Sequence, residues 1–80
     1  MRFNPDNTPD KKEAYKAKIL VMTDEELFGE TEKKIWLSAF AANNPISCYH
    51  WQCDDTYTEW VRRGKVDQYD RAHKRASASA

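Results

Sequence analysis

The sequence predicts a small all-α domain of three main helices, preceded by an irregular N-terminal arm and followed by a short C-terminal helix or tail. Two segments, 30–42 and 46–63, carry apolar residues at helical spacing, and Asn43, Asn44 and Pro45 separate them. The chain has 80 residues, which allows one domain at most. No convincing pair of strand patterns exists, so helices must build the core.

The first nine residues are predicted to form the arm, because Pro5 and Pro9 favour extended or turn geometry in the residues before them. Asp10 is the predicted N-cap of a first helix over 11–22, since its carboxylate can accept hydrogen bonds from the free N–H groups of a first turn. The apolar run 19–22 would also suit a strand, but it lacks a partner strand, so a helix is favoured.

A capping box starts the second helix. Thr23 can accept a hydrogen bond from the N–H of Glu26, while the Glu26 side chain returns to the N–H of Thr23. Gly29 costs about 1 kcal/mol relative to alanine in a helix interior, which leaves open a break at that position. We predict one continuous or slightly kinked helix over 23–42.

The third helix ends at Gly64, a fitting C-terminal stop. Asn44 is a good N-cap with Pro45 in the first helical position, and Ser47 is the rival cap. The helical core therefore covers residues 10–64. The aromatic and cysteine residues on the two strong helices form the predicted interior: Trp36, Phe40, Tyr49, Cys53, Tyr57 and Trp60.

Residues 65–80 form a basic tail, in which 65–75 could fold as one further short helix and 77–80 as a frayed end. Charge is uneven along a chain of 13 basic and 13 acidic residues. Residues 24–59 hold eight acids and two bases, whereas residues 61–80 hold six bases and two acids. A nucleic-acid-binding domain is usually strongly basic on one face, so this distribution argues against such a partner.

No stretch approaches the roughly 18 apolar residues of a membrane span, and the N-terminus lacks the apolar run of a signal peptide. We therefore expect a soluble, cytoplasmic protein that contacts no membrane. Its two cysteines are expected to stay reduced.

Cys48, His50 and Cys53, with His73 further on, raise the question of zinc. Cys48 and Cys53 would point about 140° apart around a helix axis, which argues against a shared metal ion. A nucleophilic Cys53–His50 pair would need an orienting group and an oxyanion hole, and neither is evident. We expect no metal, no cofactor and no catalytic residue.

Trp51 lies off the face formed by Tyr49, Cys53, Tyr57 and Trp60, and its exposure would make it an interface residue. The alternative is that the first helix and the tail bury it on two sides. The predicted partner-binding set combines this tryptophan with the polar residues around it: Trp51, His50, Asp54, Asp55, Glu59, Arg62 and Arg63.

The segment EKKIWLSAFAANNP, followed by W-x-x-R-G at 60–64, resembles small helical accessory proteins of tailed bacteriophages, including anti-CRISPR and other anti-defence inhibitors. The likeness covers about residues 24–64 and carries over no functional residue. It implies a non-enzymatic module that inhibits a host or defence protein complex by stoichiometric binding. Self-association as a homodimer stays open.

Two alternatives belong to other classes. One is a small DNA-associated regulator that uses a helix-turn-helix-like pair and the basic tail, with Arg62, Arg63 and Lys65 on phosphates. Asp54 and Asp55 argue against it, because they would face the phosphates of the same DNA. The other is a zinc-stabilised mini-domain built on the cysteine and histidine residues.

Overall fold

Four helices make up the part of the chain that the computed structural model describes, which is residues 7–43 and 47–79. They are α1 (Pro9–Leu20), α2 (Asp24–Phe40), α3 (Cys48–Arg62) and α4 (Val66–Ser79). No strand occurs in those residues, so the predicted all-α class is confirmed. None of these helices is long and apolar enough to cross a membrane.

Local capping signals fix the beginnings of α1 and α2. Thr8, and not Asp10 as predicted, caps α1: its hydroxyl accepts a hydrogen bond from the Lys11 N–H at 3.4 Å, and Pro9 takes the first helical position. The predicted capping box of α2 is present, with Glu26 N–H to Thr23 Oγ1 at 3.1 Å and Thr23 N–H to Glu26 Oε1 at 2.9 Å. As predicted, α2 runs through Gly29 without a break.

The ends of α3 are also set locally. Ser47 caps its beginning by accepting a hydrogen bond from the Tyr49 N–H at 3.2 Å. The rival cap Asn44 and the following Pro45 lie outside the described residues. Gly64 has φ of 70°, and the Gly64 and Lys65 N–H groups bond back to the carbonyls of Val61 and Trp60, which is the Schellman arrangement that ends a helix.

The interior lies around α2, which packs against both α3 and α4, while α1 packs against α3. Two clusters of buried apolar residues form it. The first, here called the closed core, consists of Tyr15, Ile19, Leu27 and Trp60. The second consists of Ile35, Ala72 and Ala76, so α4 supplies two of its three members.

The basic tail is therefore a structural element. Its helix continues to Ser79, beyond the predicted end near residue 75. Ala72 and Ala76 are buried against α2, which brings the two helices close together.

The predicted interior is correct for Trp60 but wrong for three residues. Trp36, Phe40 and Tyr57 are 42%, 80% and 45% exposed. Tyr49 and Cys53 are half-buried. The prediction assumed a single seam between the two strongest helices. In the structure α2 turns Leu27 and Thr31 towards α3 and Ile35 towards α4, which leaves Trp36 and Phe40 on the outer side.

Candidate protein-binding groove

Three of the predicted partner-binding residues form an ion-pair cluster at the end of α3. Glu59 is buried and accepts hydrogen bonds from Arg62 at 2.6 Å and from Arg63 at 2.7 Å. The hydrogen bonds from Arg62, and to a lesser extent from Arg63, hold the pKa of Glu59 below its ordinary value against the effect of desolvation. Glu59 and Arg63 therefore form an ion pair within the fold.

Arg63 also fastens the end of α1. Its guanidinium donates to the carbonyls of Ile19 at 3.2 Å and Met22 at 2.8 Å, and to the Asp24 carboxylate at 2.8 Å. Lys65 binds the same carboxylate, and its hydrogen bond is the largest contribution that lowers the pKa of Asp24. Two of the three cations proposed for DNA phosphates are thus engaged by Asp24, which weakens the DNA-binding alternative.

Trp51 is half-buried, and α1 covers it. Its indole N–H donates to the Asn7 side chain at 2.6 Å, the Tyr15 ring meets it edge-on at 5.6 Å, and the Lys12 ammonium lies 5.8 Å from its centroid. The alternative prediction was burial on two sides, by the first helix and by the tail; these contacts supply the first helix, and none of them comes from the tail. Trp51 is not an open aromatic surface.

The remaining members of the set face in different directions. His50 Nδ1 lies 2.8 Å from Ser38 Oγ and joins α3 to α2. Asp54 is exposed. Asp55 is half-buried, its Oδ2 has no hydrogen-bond partner in the described part of the chain, and desolvation raises its pKa. The seven residues therefore do not form one continuous exposed patch.

The cysteine and histidine residues stand apart as well. Cys53 Sγ lies 3.4 Å from the Tyr69 hydroxyl, and burial raises the pKa of this thiol, which favours the protonated form. His73 is on the exposed side of α4. No group of three or more potential metal ligands comes together among residues 7–43 and 47–79.

A concave, mainly apolar surface lies elsewhere, between the C-terminal halves of α2 and α4. It has a volume of about 500 Å³, and we call it the α2–α4 groove. Its lining residues are Ile35, Trp36, Ala39 and Phe40 from α2, with His73, Ala76 and Ser77 from α4. The small side chains of Ala39 and Ala76 leave the space open, and the aromatic rings form its outer wall.

Trp36 and Phe40 are one turn apart on α2 and stack on each other. Their ring centroids are 5.6 Å apart and the ring planes differ by 11°. The two rings are in contact with each other, although both remain exposed to solvent. On the other side of Trp36 lies a second depression of about 380 Å³, lined by Gly29, Glu32, Lys33 and Leu37 among others. Trp36 is therefore a ridge between two hollows.

Sequence reasoning missed this site because it assigned both aromatic residues to the interior. A signal was present in the spacing. The positions three, four and seven residues before Trp36 are Lys33, Glu32 and Gly29, none of which is a core residue type. The same intervals before Ile35 reach Glu32, Thr31 and Phe28, and the structure buries Thr31 and half-buries Phe28.

The comparisons with known proteins add no relative. No protein family, curated protein or solved structure matches this chain. The function must therefore be argued from the groove and the surfaces around it.

Proposed function

We propose that this protein is a non-enzymatic binding module that acts by stoichiometric contact with a protein partner, and that the α2–α4 groove is its binding surface. The observation that carries the proposal is the exposed Trp36–Phe40 stack beside an apolar hollow. Tryptophan is prominent among the residues that dominate binding energy, and aromatic residues are enriched in protein interfaces.

The lining supports a protein partner over a polar small molecule. Pockets for small molecules combine apolar walls with several convergent polar groups that fix the orientation of the ligand. The α2–α4 groove offers two polar side chains, His73 and Ser77, and both come from one face of α4. Its other walls are apolar, which suits the apolar side chains of a macromolecule.

Burial of the two rings would supply the free energy of binding. Each apolar Å² removed from water contributes about 25 cal/mol, and a buried aromatic side chain covers roughly 150–250 Å² in total. Because Phe40 is 80% exposed, most of its ring surface is available for that gain. The two rings already contact each other before binding, which reduces the side-chain entropy lost when a partner docks.

The finer part of the proposal concerns the partner. The resemblance to phage accessory proteins favours a bacterial host or defence protein complex, which the module would inhibit by occupying a surface that the complex needs. Such an interaction would take place in the bacterial cytoplasm. This part rests on the resemblance and on the groove together.

The test is a comparative pull-down from a bacterial lysate with three forms of the chain: the unchanged protein, Trp36→Ala combined with Phe40→Ala, and Asp54→Lys. Asp54 is exposed on α3, so its charge reversal tests the surface predicted from the sequence. We expect one protein to be captured by the unchanged chain and by Asp54→Lys, and to be lost from the double variant. Circular dichroism confirms that all three forms are folded.

Equal capture by all three forms would contradict the assignment of the groove. Loss of capture in Asp54→Lys alone would move the binding surface to α3. Recovery of no specific protein by the unchanged chain would contradict the proposed host or defence partner.

A further inference from the structure

Helix α1 is attached to the rest of the fold less completely than the other helices. It packs against α3, whereas α2 packs against both α3 and α4. Two residues of α1, Tyr15 and Ile19, are buried, and both belong to the closed core. The second cluster is built from α2 and α4, with Cys53 of α3 packed against it. One of the two clusters is therefore complete without α1.

The C-terminal end of α1 is fastened by one charged side chain. The Arg63 guanidinium, at the end of α3, donates to the carbonyls of Ile19 at 3.2 Å and Met22 at 2.8 Å, and to the carboxylate of Asp24, which begins α2. The last carbonyls of a helix lack helical partners, and hydrogen bonds from a charged donor are roughly twice as strong as neutral ones. This end of α1 is therefore tied to both neighbouring helices.

The N-terminal part of α1 is held by weaker contacts. The Asn7 side chain accepts a neutral hydrogen bond from the Trp51 indole at 2.6 Å, and the Lys12 ammonium lies 5.8 Å from the centroid of the same ring. Tyr15 meets that ring edge-on, and its hydroxyl donates to Glu30 at 2.7 Å. Neutral hydrogen bonds and exposed cation–π contacts each contribute little net free energy, so this part of the helix is the easier one to detach.

A carboxyl group at the contact between α1 and α3 opposes the attachment. Asp55 of α3 is half-buried and interacts electrostatically with Lys16 and Lys12 of α1. Its Oδ2 atom is buried and has no hydrogen-bond partner among residues 7–43 and 47–79. Burial of a polar atom without a hydrogen bond costs free energy, and water satisfies that atom once α1 moves away. The burial of Asp55 therefore reduces the net gain from closing α1 onto α3.

Helix α1 is also too short to remain folded once it detaches. It has 12 residues, and isolated helices shorter than about 12–15 residues are marginally stable in water. When α1 leaves α3, the backbone N–H groups of residues 13–17 lose their partners within the helix. Hydrogen exchange of these groups therefore reports on detachment.

We infer that residues 7–17, here called the strap, open and close over Trp51 while the C-terminal end of α1 stays fixed at Arg63. In the open state Ile19, Leu27 and Trp60 of the closed core remain packed, and the Trp51 ring becomes accessible. The strap thus controls access to a residue that the sequence predicts to bind a partner. The inference does not depend on the α2–α4 groove.

Hydrogen exchange followed by NMR at pH 7 tests the strap in the unchanged protein. The backbone N–H groups of residues 13–17 report on the strap, and those of Leu27 and Ile35, both buried, report on the core. We expect protection factors of the strap amides at least about tenfold below those of the core amides, because the strap opens without global unfolding. Equal protection in the two groups would show that α1 unfolds only with the whole molecule and would overturn the inference.

The variants differ in whether the contact they remove survives opening. Asn7→Ala removes the acceptor for the Trp51 indole, a contact that the open state has already lost, so it should speed exchange of the strap amides about fivefold. Asn43→Ala makes the same substitution at an exposed position after α2 and should leave the rates unchanged. Equal rates in Asn7→Ala and the unchanged protein would show that the Asn7 contact does not hold the strap closed.

Arg63→Lys tests the fixed end. Its hydrogen bonds persist in the open state, so their loss should speed exchange of the Leu27 and Ile35 amides, which requires global unfolding, and leave the rates of the strap amides unchanged. Thr31→Val, which removes a hydrogen bond of the closed core, should give the same pattern. Faster exchange of the strap amides in Arg63→Lys but not in Thr31→Val would show that Arg63 releases α1 on opening, and would overturn the fixed end.

Asp55→Asn should act in the opposite direction to Asn7→Ala. A neutral amide costs less to bury than a carboxylate, so this variant should slow exchange of the strap amides at pH 7. Faster exchange would mean that attraction to Lys12 and Lys16 holds α1 in place, and would overturn the role assigned to Asp55.

Discussion

Trp60 on α3 and Trp36 on α2 are both tryptophans, but Trp60 is buried and Trp36 is exposed to solvent. Trp60 is fully buried in the closed core, where its indole N–H donates to Thr31 Oγ1 at 2.9 Å and the Arg63 guanidinium lies 5.8 Å from its ring. Trp36 is 42% exposed and contacts Phe40, which is more exposed still. The first ring stabilises the fold, and the second is available for a partner.

The difference originates on α2. One side of this helix faces α3 and covers Trp60, whereas Trp36 lies on the outer side of the same helix. Leu27 and Thr31 lie towards α3 and are both fully buried, so Trp60 finds apolar contacts and a hydrogen-bond acceptor. Gly29 and Lys33 share the outer side with Trp36 and give it no cover. The two aromatic environments are therefore decided by positions two residues apart on one helix.

The largest expected effect is a contrast between two alanine substitutions. Trp60→Ala should lower the free energy of unfolding by about 3–5 kcal/mol, because it leaves a large cavity in the closed core. Trp36→Ala should cost about 1 kcal/mol, the ordinary value for a point substitution outside the interior. Urea denaturation of both variants measures the difference, and equal losses would contradict the contrast between the two rings.

Local signals in the sequence were sufficient for the helices but not for their faces. The capping box at Thr23 and the stop at Gly64 act within a few residues, and both were predicted correctly. The burial of Ala72 and Ala76 depends on how α4 lies against α2, and no local pattern encodes that placement. Without α4 in the packing, Trp36 and Phe40 were the obvious candidates for the interior.

The candidate site was hidden for a related reason. Long charged side chains can serve the fold as well as a partner, and composition does not distinguish the two uses. Arg63 and Glu59 were predicted to bind a partner, but the structure commits them to each other and to the end of α1. Contact of Trp51 and Asp54 with a partner stays a prediction.

The next effect probes the polar bond inside the closed core. Thr31→Val keeps the shape of the side chain but removes the acceptor for the Trp60 indole N–H, which would leave a buried donor without a partner and cost about 1–3 kcal/mol. Thr58→Val is the matched control. The hydroxyls of both threonines donate to the carbonyl four residues earlier, but Thr58 is exposed. Similar losses of unfolding free energy in the two variants would show that the hydrogen bond from the Trp60 indole to Thr31 adds no stability.

A gain is expected on the open side of α2. Gly29→Ala should stabilise the protein by about 1 kcal/mol, because alanine is the better helix former and its Cβ enters open space. Gly64→Ala should instead destabilise it by about 1–2 kcal/mol, because its φ of 70° is strained for an L-residue. Thermal unfolding compares the two. A loss at Gly29 would mean that the fold itself needs this glycine.

The smallest expected effect is a pH-dependent gain from Asp55→Asn at the contact between α1 and α3. Desolvation raises the pKa of Asp55 above its ordinary value of 3.8, so the folded state disfavours the charged form, although Lys16 partly offsets the cost. A raised carboxyl pKa contributes stability below the unfolded value and loses it as the pH rises through the folded value. Asp55→Asn should therefore be slightly more stable than the unchanged protein at pH 7, and the advantage should vanish below about pH 3.8. A loss of stability at pH 7 in Asp55→Asn would mean that attraction to the lysines of α1 outweighs burial.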